Sequence, residues 1–337
     1  MSDIQWLLEP LRAIHEEVRN IVVSACERSS QDTLSEIADD GPGDTIYAVD
    51  RISDSLLIQL FEERIASREP IVLLAEGLPG GKITLPFGAS EKDAVWRVLA
   101  DPIDGTRCLM YQKRSAWILT GVAPNRGENT PLSDIELAVQ TEIPLIKQHL
   151  CDTLWARTGS GAHIERFNRI TSERTRLTPS PSRARTLAHG FATVSRFFSG
   201  ARDILASIDD EIQFSLLGAG SPGKACCFED QYLSTAGQLY ELTMGHDRYI
   251  ADLRPLLGPI LQQRGWSSGL CCHPYDLCTE LIAREAGVLV VNEKGHQLCC
   301  PMNLDADVSW VGYANREIRD LVEPVLKENI QKHGLGR

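Results

Sequence analysis

Apolar residues in the first stretch of the chain recur with a helical period. Leu7, Leu8, Leu11, Ile14, Val18, Ile21, Val22 and Ala25 fall three or four positions apart, which predicts an amphipathic helix over residues 4–27. Gly41-Pro42-Gly43 breaks the pattern, and Ile52, Leu56, Leu57, Leu60, Phe61 and Ile65 resume it as a second helix. Then the period changes. Short apolar runs at Ile71–Ala75, through Val95, Val98 and Leu99 to Asp101, at Ala116–Ala123 and at Ile135–Thr141 read as strands, the last ended by Pro144. Two helices followed by several strands predict an α+β half rather than alternating βαβ units.

The polar, proline-rich segment Thr178-Pro179-Ser180-Pro181-Ser182 is the expected boundary, dividing the chain into residues 1–178 and 183–332. Beyond it the pattern alternates as in an α/β half. A strand is expected near Leu187–Ala192, a helix over Ala201–Ile208 and another from Pro274, whose missing N–H suits a first turn. Strands follow over Val288–Val291 and Val308–Tyr313, and Asn315 suits the N-cap of a last helix.

Composition narrows the function. The 337 residues are 43% hydrophobic and 24% charged, ordinary for a globular protein with a real core. A net charge of −12 argues against a nucleic-acid or anionic-membrane partner, since both demand dense Lys and Arg. It leaves room for a phosphorylated small molecule if bound cations supply the positive field. Three pairs of the ten cysteines are adjacent (Cys226-Cys227, Cys271-Cys272, Cys299-Cys300) and none forms Cys-x-x-Cys, so free thiols are expected. Ser2-Asp3-Ile4-Gln5 does not read as a signal peptide, and no uncharged apolar run is long enough for a bilayer; a cytoplasmic protein is expected.

The segment with the most chemistry is Trp96-Arg97-Val98-Leu99-Ala100-Asp101-Pro102-Ile103-Asp104-Gly105-Thr106. A strand would deliver Asp101 at its end, a turn would present Asp104, and Gly105 would let a ligand approach the backbone. Two carboxylates with the Ile103 carbonyl between them are hard oxygen ligands of the kind Mg²⁺ prefers. If Gly105 and Thr106 open a helix, their N–H groups would suit a phosphate oxygen.

Asp-Pro-Ile-Asp-Gly-Thr resembles the signature of the inositol monophosphatase superfamily, which also holds the fructose-1,6-bisphosphatases. Three further elements stand in the family's order. Val72-Leu73-Leu74-Ala75-Glu76 matches the strand that ends in a metal-binding Glu, and Asp50 matches an Asp near the second helix. Tyr275-Asp276 matches the Trp-Asp that opens a helix ending in Glu285-Ala286-Gly287. The resemblance implies a layered α-β-α-β-α sandwich, with the metal-binding α+β half first and substrate selectivity in the α/β half. It also implies two or three Mg²⁺ ions. Asp101 would bridge two of them, Glu76 and the Ile103 carbonyl would complete one site, and Asp104 and Asp276 would hold the second. Thr106, paired with Asp50, would orient and deprotonate the attacking water, Glu76 would hold a third ion through water, and the Gly105 and Thr106 amides would bind phosphate.

The sequence departs from the family where Gly77 replaces a second Glu, Tyr275 replaces Trp, Val288 replaces Gly, Tyr47 replaces Thr, and Cys108-Leu109 stand for Asn-Phe. None removes a first carboxylate, but the pocket wall changes, so the identity of the substrate stays open. The expected activity is hydrolysis of a small polyol or sugar phosphomonoester. A non-catalytic sugar-phosphate sensor on the same fold and a bisphosphate-directed phosphatase remain as rivals. The second would need basic residues near the pocket, for which Lys224, Arg248 and Arg254 are candidates. His273, close to Asp276, is the histidine to watch, and a homodimer is left open.

Overall fold

A computed structural model describes residues 3–39, 46–47, 56–220, 223–267 and 269–335. Asp3 accepts the Gln5 N–H at the start of a short 3₁₀ turn, Ile4–Leu7, which leads into α1 (Leu8–Arg28). The buried stripe of α1 holds Leu11, Ile14, Val18 and Val22 as the periodicity predicts. It also holds Arg19, whose guanidinium lies 4.9 Å from the centre of the Phe167 ring, while Ile21 turns outward. Residues 56–61 form α2, extended by a π turn at Glu62–Ala66.

Short strands β1 (Ile37–Asp39) and β2 (Ile46–Tyr47) pair with each other. The main sheet then runs through β3 (Ile71–Ala75), β4 (Lys82–Leu85), β5 (Trp96–Asp104), β6 (Ala116–Pro124), β7 (Leu137–Ile143), β8 (Leu150–Arg157), β9 (Ala162–Asn168) and β10 (Arg174–Leu177). Their spatial order is β10-β9-β8-β7-β6-β5-β3-β4, antiparallel except for the parallel pair β3 and β5. Strand β5 is buried at all nine positions, as expected of a central strand covered on both faces. A second sheet has the order β11-β12-β14-β13, from β11 (Phe191–Val194), β12 (Asp247–Asp252), β13 (Leu289–Val291) and β14 (Trp310–Tyr313).

Successive strand residues face opposite ways, so the main sheet serves two cores. Leu73 and Val98 join the core under α1 and α2; Val72 and Leu99 join a second core with α4 (Thr235–Met244) and α6 (Glu280–Glu285). That middle layer also meets Ile250 and Trp310 of the second sheet. On the far face, α3 (Arg202–Leu217) and α7 (Arg316–Lys332) pack against Val194, Ala251 and Val311. The short α5 (Gly258–Gln263) adds Leu261 to that core. The result is the five-layer α-β-α-β-α sandwich, and Asn315 caps α7 by accepting the Ile318 N–H.

Several expectations shift. Asp104 belongs to β5, beyond an irregularity in its pairing with β6, because the chain bulges at Asp101–Asp104 and regains its partner at Trp117. The strand placed near Leu187–Ala192 begins at Phe191, since Gly190 and Leu187 close a turn before it. The helix expected from Pro274 is broken into a 3₁₀ turn, Tyr275–Leu277, and α6. Strands β9 and β10 carry Glu165, Arg166, Arg174 and Arg176, so no apolar run announces them. All ten cysteines are free thiols. Among the described residues no helix is long and apolar enough to cross a membrane.

Candidate functional site

The parallel register of β3 and β5 ends with Ala75 opposite Ala100, so Glu76, just past the end of β3, and Asp101, where β5 outruns its partner, stand side by side. The bulge in β5 then aims Asp104 into the same space. Gly105 follows with φ +93°, a conformation glycine adopts without strain, and turns the chain into the five-residue helix Thr106–Met110. A Cβ there would approach Ser234 Cβ to 3.1 Å.

Asp276 arrives from the other end of the chain. Its 3₁₀ turn sits directly on β6 at Gly121, where any Cβ would stand 2.4 Å from the Cys278 carbonyl oxygen. Buried Gln140 of β7 ties the surroundings together. Its amide donates to the Ala236 carbonyl at 3.0 Å and its oxygen accepts the Thr279 hydroxyl at 3.0 Å. One side chain thus holds both the first turn of α4 and the segment after Asp276.

Carboxylate oxygens of Asp101, Asp104 and Asp276 lie within 4.8 Å of one another. Glu76, Ile103, Gly105 and Thr106 line the same cleft. Asp101 accepts the Ile103 N–H at 2.9 Å, and Asp276 accepts the His273 N–H at 2.6 Å. Asp104 accepts the Ser234 hydroxyl at 2.8 Å and the Ala236 N–H at 2.7 Å. The Thr106 hydroxyl donates to the Ile103 carbonyl at 2.9 Å. A carbonyl has two lone pairs, so this bond leaves Ile103 able to accept once more.

Burial, then mutual repulsion with Asp104, Asp276 and Glu76, raises the Asp101 carboxyl well above its usual range. Asp276 is raised in the same way. Burial pushes Asp104 up to about 6, against the pull of the Ala236 N–H, the Ser234 hydroxyl and the Arg254 charge. Three desolvated acids aimed at one point form a set that a divalent cation would relieve, and all-oxygen donors suit a hard ion.

Glu76, Asp101, Ile103, Asp104, Gly105, Thr106 and Asp276 are therefore brought to one place. Asp50 lies outside the described residues. Of the basic candidates, Arg254 lines the cleft. Lys224 is exposed and not part of its lining, and Arg248 spends its guanidinium on the carbonyls of Thr186 and Ala188. The Gly218–Lys224 loop falls partly outside the described residues. His273 stacks on Tyr275 with ring centres 5.3 Å apart, beside Asp276. Cys108 is buried, and burial raises its thiol pKa, which disfavours a reactive thiolate.

Sequence reasoning missed Ser234 and Thr235, although a serine followed by Ala236, Leu239 and Leu242 is a legible N-cap signal. It also missed Phe197, Phe198, Leu270 and Cys271, for which no signal exists in one sequence.

No family model matches the chain, and no curated protein matches it by sequence. Solved structures do match its fold. Thermotoga maritima IMPase aligns with a TM-score of 0.60 and 16% identity over 97% of this chain and 99% of that one. Leishmania major fructose-1,6-bisphosphatase gives 0.67 and 14%, over 95% and 93% of the two chains. The extragenic suppressor protein suhB from Bartonella henselae gives 0.63 and 17%, over 96% and 98%. At these identities the likeness establishes the fold, which is that of the inositol monophosphatase and fructose-1,6-bisphosphatase structures.

Proposed function

We propose, on the premise of that shared fold, that this chain is a Mg²⁺-dependent phosphatase acting on the phosphomonoester of a small polyol or sugar. One observation carries the reading: Glu76, Asp101, Asp104 and Asp276, spread over two hundred positions of sequence, line a single cleft. Such a cluster repels itself unless cations are present. Asp101, Glu76 and the Ile103 carbonyl would hold one ion, and Asp101, Asp104 and Asp276 another. Bound Mg²⁺ would neutralise the phosphate dianion and acidify water for in-line attack.

The remaining work falls to the chain itself. The Gly105 and Thr106 amides, where β5 turns into a helix, would hold phosphate oxygens. Thr106, whose hydroxyl donates to the Ile103 carbonyl, would orient the attacking water together with Asp50, as the resemblance implies. Glu76, at the end of β3, would receive a proton through solvent. Ser234 and the Ala236 N–H hold Asp104 in one orientation, sparing the site that rearrangement.

The test is a panel of phosphomonoesters with Mg²⁺, scored by released phosphate. Turnover on at least one sugar or polyol phosphate is expected. Asp101→Asn should lower it by about a hundredfold or more, as loss of several kcal/mol of charge stabilisation implies, while circular dichroism stays native. Near-normal turnover in that variant would overturn the assignment. Ligand binding without turnover over a broad panel would favour the sensor instead.

A further inference from the structure

Strand β7 feeds both faces of the main sheet. Leu137 and Val139 enter the core under α1, Ala138 enters the middle layer, and Gln140 follows Ala138 on that face. Gln140 is only 2% exposed. A leucine or methionine would fill such a position without the cost of desolvating an amide, so what the amide bonds is informative.

Register sets Gln140 in line with the carboxylates. Asp101 of β5 pairs with Leu119 of β6, and Leu119 pairs in turn with Gln140 of β7. The three side chains therefore share one face of the sheet, and Gln140 stands two strands, about 10 Å, from Asp101. From there it reaches both segments that carry the other two acids. Its Nε2 donates to the Ala236 carbonyl at 3.0 Å, and the Ala236 N–H donates to Asp104 at 2.7 Å. Its Oε1 accepts the Thr279 hydroxyl at 3.0 Å, and Thr279, the N-cap of α6, lies three residues beyond Asp276. Ala236 and Thr279 are both buried. Asp104 and Asp276 thus hang from the two ends of one planar amide, whose fixed geometry holds their segments at a fixed separation.

Helix α6 has a second, unrelated fastening. Glu285, at its far end, accepts the Gly159 and Gly161 N–H groups of the β8–β9 turn, both at 2.8 Å. That contact docks the helix on the sheet without any bond toward Asp104. The two fastenings separate docking of α6 from alignment of the acids.

We infer that Gln140 is a positioning residue of the cation site. It sets the spacing of Asp104 against Asp276, and through that spacing the affinity of the carboxylate cluster for a divalent ion. The inference rests on the ion-binding part of the proposed function and deepens it.

Calorimetric titration of the full chain with Mg²⁺, after chelation and dialysis, tests the role without turnover. Gln140→Met keeps the volume and removes both bonds. It should weaken Mg²⁺ binding by about three- to tenfold, less than the loss typical of groups that bond a metal ligand directly. Thr279→Val removes one hydroxyl and should weaken it by about two- to fivefold. Gln140→Met/Thr279→Val should bind no worse than Gln140→Met, because both changes break the same bond. Glu285→Ala, which loosens docking alone, should lower the melting temperature yet keep Mg²⁺ affinity within about twofold of the natural chain. If Gln140→Met does not fold, Thr279→Val against Glu285→Ala gives the same reading. Natural affinity in a folded Gln140→Met or Thr279→Val, or an equal loss in Glu285→Ala, rejects the positioning role while the ion site stands. A natural chain that binds no Mg²⁺ rejects both. Mg²⁺ binding that weakens in Gln140→Met, in a chain that hydrolyses no ester, refutes the phosphatase reading and leaves the positioning role intact.

Discussion

His15 sits inside the core under the main sheet, with Nδ1 3.1 Å from the Thr141 hydroxyl and Nε2 2.8 Å from the Thr120 hydroxyl. Burial, then the nearby Arg19 charge, lowers its pKa from the ordinary 6.5 to about 3. The folded chain keeps it neutral over a range where the unfolded chain takes up a proton. The associated stability is complete above pH 6.5 and is lost as pH falls toward 3, by about 1.4 kcal/mol per unit. Urea unfolding at pH 7 and pH 5 should show a smaller acid loss in His15→Gln than in the natural chain; equal losses would refute the account. The same scale shows how far single residues could be read. Asp101 and Asp104 stand in a recognisable string, whereas His15 looks like any other polar position on a helix and owes its state chiefly to burial, with hydroxyl partners more than a hundred residues away.

At the scale of elements, the decisive contact is between β6 and the turn carrying Asp276. Gly121 is required there by space, because a methyl group would meet both the Cys278 carbonyl and Ile135 Cδ1 at under 3 Å. Gly121→Ala should cost about 1–3 kcal/mol of stability by overpacking. It should also weaken Mg²⁺ binding, since Asp276 is two residues from the displaced carbonyl. Calorimetric Mg²⁺ titration beside a thermal melt checks both, and an unperturbed affinity would show that the turn adapts without moving Asp276. Periodicity revealed the first two helices and β3, β5 and β6 because these elements are half or fully buried. It failed for β9 and β10, whose charged side chains pair along a sheet edge, and for the helix after Pro274, which packing breaks in two.

At the scale of the whole molecule, the cleft joins distant parts of the chain. Glu76, Asp101 and Asp104 come from the main sheet, while Asp276 comes from the turn between the two sheets. A cation shared by these groups should stabilise the entire fold, by about 2.7 kcal/mol when its concentration is a hundred times the dissociation constant. Mg²⁺ should therefore raise the melting temperature, and a chelator should reverse the rise. Asp276→Asn should abolish the shift yet melt no lower than the natural chain without metal, because it removes a like charge from the cluster. A melting temperature indifferent to Mg²⁺ would count against the ion site itself. The sequence alone determined the order of acidic motifs, the amphipathic faces and a donor set of hard oxygens suited to a cation, because these are local patterns of polarity and ligand type. The tertiary structure decided which strands lie parallel, where Asp276 docks, and which of three basic candidates reaches the cleft. Those outcomes depend on register and on non-local packing, and neither is written in the spacing of residues along one chain.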